Sequence, residues 1–80
     1  MTAPPPRQSF AMAFDSARGR VVLFGGGDNN GDLGDTWEWD GTFWFPTTPS
    51  SSPSPRNGHA MAFDSVRGKT VLFGGRDSTG

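Results

Sequence analysis

The run Ala11-Met12-Ala13-Phe14-Asp15-Ser16-Ala17-Arg18-Gly19-Arg20-Val21-Val22-Leu23-Phe24-Gly25-Gly26 returns nearly unchanged as Ala60 to Gly75. The offset is a constant 49 residues, from Arg7 to Arg56 and from Gly31 to Gly80. A repeat of roughly 50 residues is the period of propellers and solenoids. The chain has only 80 residues, so it holds at most one small domain with little stability to spare.

Composition narrows the function classes. There is no cysteine, hence no disulfide staple and no thiolate metal site, and this choice fits the cytosol and an exported protein equally. The formal net charge of −1 argues against general affinity for nucleic acid or an anionic membrane, which require basic excess. No apolar run is long enough to span a bilayer, and Met1 to Pro6 has no apolar signal-like core. The hydrophobic fraction is 32%, low for a self-contained domain, while the 12 glycines and 7 prolines point to turns and extended segments.

Along the chain, residues 1–6 read as a proline-rich lead-in. Phe10 to Phe14 is expected to be a first strand, with Phe10, Met12 and Phe14 on one face and Ala11 and Ala13 on the other. Asp15 to Gly19 is a hairpin turn, and Arg20 to Phe24 is a β-branched and aromatic strand suited to cover on both faces. Gly25-Gly26-Gly27 ends it, and Asp28 to Gly34 is a polar loop. Asp35 to Trp39 forms a third strand, and Asp40-Gly41 turns it directly into a fourth, Thr42 to Phe45, which Pro46 stops. Residues 47–55 form a Ser/Thr/Pro crossover. Strands at His59 to Phe63 and Lys69 to Phe73 restart the pattern, and no helical periodicity is present.

Arg56-Asn57-Gly58-His59-Ala60-Met61-Ala62-Phe63-Asp64, Val71-Leu72-Phe73-Gly74-Gly75, and Asp35-Thr36-Trp37-Glu38-Trp39-Asp40-Gly41 with Trp44 downstream resemble kelch repeats. The resemblance covers essentially the whole chain. It implies an all-β fold of kelch-type β-propeller blades, each a four-stranded antiparallel sheet with its first strand nearest the axis. On that template residues 7–46 make one complete blade, and residues 56–80 supply the first two strands and loop of a second, about one and a half blades in all. Gly25, Gly26, Trp37, Trp39, Trp44, His59, Gly74 and Gly75 then define the repeat structurally. Two departures stand out. Ser9 and Phe10 replace the Gly-His pair of the second copy, and tryptophans stand where the family places tyrosines in the third strand. A closed propeller needs at least four blades. The chain is therefore expected to be a fragment of a larger propeller, ahead of a shared ring of several chains or a partly folded state. An isolated blade would offer unpaired edges for self-association.

No catalytic constellation emerges. His59 is the single histidine and aligns with Phe10, which makes it a packing residue rather than a base or ligand. Asp28, Asn30, Asp32 and Asp35 alternate like a calcium loop, but Leu33 and Trp39 stand where its glycine and bidentate glutamate belong. The glycine triplet lacks the following helix of a phosphate loop. Trp37, Trp39, Trp44, Phe43 and Phe45 suit blade packing better than ligand stacking. Arg18 and Arg67, before the turn glycines, are expected in solvent, whereas Arg7 and Arg56 open each repeat near a propeller mouth. The expectation is a non-catalytic protein-binding or scaffold module without cofactor or metal. Its partner-binding residues would be Asp28, Asn29, Asn30, Asp32, Arg7 and Arg56. Two alternatives stay open: part of a kelch-like propeller enzyme whose site lies in other residues, and a self-assembling structural blade.

Overall fold

The period-two alternation and the glycine-ended apolar runs are realised as antiparallel strands. The computed structural model describes residues 3–49 and 52–77. Met1 and Thr2 of the lead-in, Ser50 and Ser51 of the crossover, and Ser78 to Gly80 of the second polar loop lie outside the described residues. Strands β1 (Ala11–Asp15), β2 (Arg20–Phe24), β5 (Thr36–Trp39) and β6 (Trp44–Thr47) form one four-stranded meander in that order. A short hairpin, β3 (Gly27–Asp28) with β4 (Gly31–Asp32), fills the expected polar loop. Strands β7 (Ala60–Asp64) and β8 (Lys69–Phe73) make a separate hairpin. No helix occurs among the described residues. The fold is all-β, and all its strand pairs are antiparallel.

The repeat is exact in register. Ala11 pairs with Phe24 and Asp15 with Arg20, and 49 residues on, Ala60 pairs with Phe73 and Asp64 with Lys69. Both turns are built alike. Asp15 Oδ1 accepts the Ala17 and Arg18 amides at 3.0 and 3.1 Å, as Asp64 Oδ1 accepts those of Val66 and Arg67 at the same distances. Gly19 and Gly68 then close the turns at φ near +68° (69° and 67°), a left-handed conformation that glycine adopts without strain. Strand β7 lies against β1, so the first strands of the two repeats are neighbours.

The two faces of the meander differ. Strand alternation puts Ala13, Val22 and Phe24 on the side toward the second hairpin, where Met61 and Leu72 line the same narrow space as Val22 and Phe24. Phe10, Met12 and Phe14 point the other way and stay 40–57% exposed. Small residues on β1 thus allow the second hairpin to approach, and Val22, Leu23, Phe24 and Trp37 form the core beside Ala13. Strand β2 is buried from Val22 onward, as its unbroken apolar run requires.

Strand ends shift by one or two residues from expectation, and the fourth strand is a larger departure. It runs Trp44–Thr47, with Pro46 inside it opposite Trp37. Proline is accommodated because β6 is the outer edge of the sheet, where one side of the strand has no ladder to supply. The strand starts late because the turn needs four residues rather than two. Asp40 Oδ1 caps the amides of Thr42 and Phe43, both at 2.8 Å, and delays pairing until Trp44 meets Trp39.

The repeats interlock at a glycine socket. Gly25 and Gly26 have φ of 72° and 99°. The Gly26 amide donates to Arg56 O at 2.9 Å, the Arg56 amide to Leu33 O at 3.3 Å, and the Gly58 amide to Ser9 O at 2.8 Å. A Cβ on Gly25 would stand 2.7 Å from Arg56 O and 2.8 Å from His59 Cε1, whereas one on Gly74 (φ 77°) would meet nothing within 4 Å. Gly74→Ala therefore carries only the left-handed backbone penalty, about 1–2 kcal/mol. Gly25→Ala adds the cost of overpacking, about 1–3 kcal/mol more. Urea unfolding of the two variants checks this, and equal losses would contradict the socket.

Candidate functional site

The end of the sheet where β2 finishes and β5 begins gathers the polar residues singled out in the sequence. Three elements meet there: the Arg7-Gln8-Ser9 segment, the β3–β4 hairpin, and the Arg56-Asn57-Gly58 segment of the second repeat. Gln8 and Gly27 exchange backbone hydrogen bonds at 2.9 and 2.8 Å, and Asn57 does the same with Arg76. Across the repeats, Asn57 Nδ2 donates to Asp32 Oδ1. These contacts leave Asp28, Asn29 and Asn30 exposed at the hairpin tip, with the Asn30 amide bonded to Asp28 Oδ1 at 2.8 Å. A shallow cleft of about 180 Å³ runs beside the tip, lined by Gln8, Ser9, Asp28, Asp32 and Asn57 with Gly27 and Gly31.

The two repeat-opening arginines differ. Arg7 makes a bidentate pair with Asp35, Nη1 to Oδ1 at 2.6 Å and Nη2 to Oδ2 at 2.8 Å, and Nη1 also donates to Gly25 O at 3.1 Å. Its side chain is 3% exposed, so its charge is spent in joining the lead-in to β5. Trp37 Nε1 adds a third donor to Asp35 at 2.8 Å. The guanidinium of Arg7, with help from Trp37, holds the Asp35 carboxyl down at about 2 despite partial burial. Arg56 repeats the backbone part of this pattern, donating to Gly74 O at 3.0 Å, but its Nη2 goes to the Ser54 hydroxyl at 2.9 Å. Arg56 is thus the more accessible of the two cations, while Arg7 sits under the loop.

At the opposite end lies a charged cluster that sequence reading did not single out. Arg18 binds Asp15 at 2.7 Å through Nε and Glu38 at 3.1 and 2.9 Å through Nη1 and Nη2. Arg20 donates to the same Glu38 at 3.2 Å and lies 5.8 Å from the centre of the Phe45 ring. Arg18 is about half exposed, yet it is not simply solvated. It is exposed, as its place beside a turn glycine leads one to expect, and it also ties the first turn to β5. Its two carboxylate partners raise its own pKa, and it lowers that of Asp15. The available signal was register: Arg20 and Glu38 share a face because Val22 pairs with Glu38. Among the described residues, the Arg67 guanidinium keeps only the matching Asp64 contact, at 2.8 Å.

Of the remaining residues, His59 is buried. Its Nε2 lies 2.7 Å from Phe24 O and its ring stands edge-on to Phe24 at 5.6 Å. A carbonyl only accepts, so the proton is on Nε2. Nδ1 is buried without a hydrogen-bond partner among the described residues. A Cβ on Gly26 would strike Gln8 O and Phe10, and one on Gly75 would strike Asn57 O and His59. Trp39 and Trp44 form a tilted cross-strand pair at 5.5 Å and, with Met12 and Val21, line an apolar hollow of about 230 Å³ on the exposed face. No group of three His, Cys, Asp or Glu side chains suited to a metal ion is found among the described residues. In comparison with known proteins, no family model and no curated protein matches the chain.

The Arg7–Asp35 pair has a pH signature. A carboxyl held below its unfolded value stabilises the fold above that value and ceases to do so as pH falls through the folded one. Thermal stability should therefore decline from about pH 4 toward pH 2. Asp35→Asn should flatten part of that decline, leaving the part due to Asp15, Asp40 and Asp64, which Arg18, the Phe43 and Thr42 amides, and Arg67 respectively hold low. Melting curves followed by circular dichroism test this, and identical pH slopes for the two proteins would refute it.

Proposed function

We propose that the chain is a non-catalytic scaffold of kelch-type propeller blades that presents the β3–β4 hairpin to a protein partner. On this reading residues 7–46 form one blade, residues 56–80 begin the next, and a larger ring of such repeats contains both. The matching registers of the two hairpins, the adjacency of β1 and β7, and the glycine socket between repeats all support it. The observation that carries the binding role is the exposed tip, Asp28, Asn29 and Asn30, fixed at its base by Gln8–Gly27 and Asp32–Asn57. A loop held this way offers carboxylate and amide groups without a large ordering cost on binding. Arg7 and Asp35 hold the base, while Arg56 is turned to Gly74 O and Ser54 in the second repeat.

Site-specific photo-crosslinking tests the reading. A crosslinker at Asn29 should capture one discrete protein partner, and Asp28→Asn should weaken the capture severalfold. A crosslinker at Val66, on the turn at the far end and 90% exposed, should capture none. Equal, unselective labelling from both positions would contradict a dedicated loop surface.

A further inference from the structure

The chain holds two Asn-Gly dipeptides, Asn30-Gly31 and Asn57-Gly58. Glycine has no Cβ to hinder attack by its amide nitrogen on the preceding side chain, so this dipeptide is prone to ring closure. The fold treats the two copies differently. Asn30 is exposed at the tip of the β3–β4 turn. Its backbone amide donates to Asp28 Oδ1 at 2.8 Å, but its side-chain amide makes no hydrogen bond among the described residues. Gly31 belongs to a hairpin of only two residue pairs, Gly27 with Asp32 and Asp28 with Gly31, which frays at small cost. Asn57 is half-buried, and its side chain donates to Asp32 Oδ1. Its backbone exchanges hydrogen bonds with Arg76 at 2.9 and 2.8 Å. The Gly58 amide, the nitrogen that would attack, donates to Ser9 O at 2.8 Å and is released only when the two repeats part. A Cβ on either glycine would meet nothing within 4 Å, so the difference lies in hydrogen bonding and not in room.

We infer that Asn30 is a site of spontaneous deamidation, and that the joint between the repeats shields Asn57 from the same reaction. The Gly31 nitrogen gives up its proton and bonds to Asn30 Cγ. The Cγ–Nδ2 bond breaks, and Nδ2 takes a proton and leaves as ammonia. Water then opens the resulting succinimide. Attack at Cγ yields aspartate, and attack at the Asn30 backbone carbonyl yields isoaspartate. Both products set a second carboxylate beside Asp28. Isoaspartate also routes the main chain through Cβ and Cγ, one bond longer. A two-residue turn fixes strand register, so the longer chain breaks the pairing of β3 with β4. The tip thereby carries a one-way change of charge and shape. The reaction depends on the exposure of the hairpin and not on what the hairpin binds, so either reading can fail alone.

Peptide mapping by mass spectrometry during incubation at mildly alkaline pH tests this, because cleavage after Arg56 places Asn30 and Asn57 in different tryptic peptides. In the folded 80-residue chain, Asn30 should convert about tenfold faster than Asn57, or more, since Asn57 must first lose its hydrogen bonds by local opening. In concentrated urea the two rates should converge. Equal rates in the folded chain would overturn the inference. So would a difference that persists in urea, which would place its cause in neighbouring residues and not in the fold. The isolated isoaspartyl fraction should lose the cross-strand nuclear Overhauser contacts between Gly27 and Asp32. Asn30→Asp, which carries the charge without the extra bond, should keep them. An isoaspartyl chain with the hairpin intact would overturn the change of shape.

Discussion

The contact on which the structure depends is the seating of Arg56 to His59 in the glycine socket at the end of β2. Each repeat has too little apolar surface to bury by itself. Three backbone hydrogen bonds, one imidazole-to-carbonyl bond and one edge-on ring contact bring the second hairpin down on the first sheet. That single approach buries Phe24, fixes β7 beside β1, and carries Asn57 to Asp32, which braces the polar hairpin. Glycine is required in the socket for two reasons at once. The backbone is left-handed there, and a Cβ would strike the neighbouring repeat.

Electrostatics complete what packing begins. The bidentate Arg7–Asp35 pair ties the segment before β1 to the start of β5, and Arg18 with Arg20 ties the first turn to Glu38 near the other end of that strand. Strand β5 is held at both ends, and the buried Trp37 lies between. These pairs are partly exposed, so each is worth modestly little alone, and their role is to fix position. The arrangement leaves the hairpin tip accessible at its end of the sheet.

Much of this was legible in the residues. The repeat, both inner hairpins, the buried second strand and the glycine terminators follow from spacing and alternation alone. Alternation does not say which face of β1 a neighbour will cover. That depends on the approach of the second repeat, which selects the alanine face and leaves Phe10, Met12 and Phe14 in the open. Pro46 misleads because proline ends a central strand but not an edge strand, and edge position is a property of the whole sheet. Arg18 and Arg7 show the same limit. Their partners lie 20 and 28 residues away, and only sheet register brings them together. The polar hairpin reads correctly as turn-forming sequence, whereas its bracing by Gln8 and Asn57 comes from two distant segments.

The His59 clamp can be observed directly. Long-range proton–nitrogen correlation spectra of the imidazole report which ring nitrogen carries hydrogen. A single tautomer is expected, with the proton on Nε2 protected from exchange and shifted downfield by its bond to Phe24 O. A proton on Nδ1, or a ring averaging between tautomers as in free histidine, would mean that the second repeat does not seat in the glycine socket.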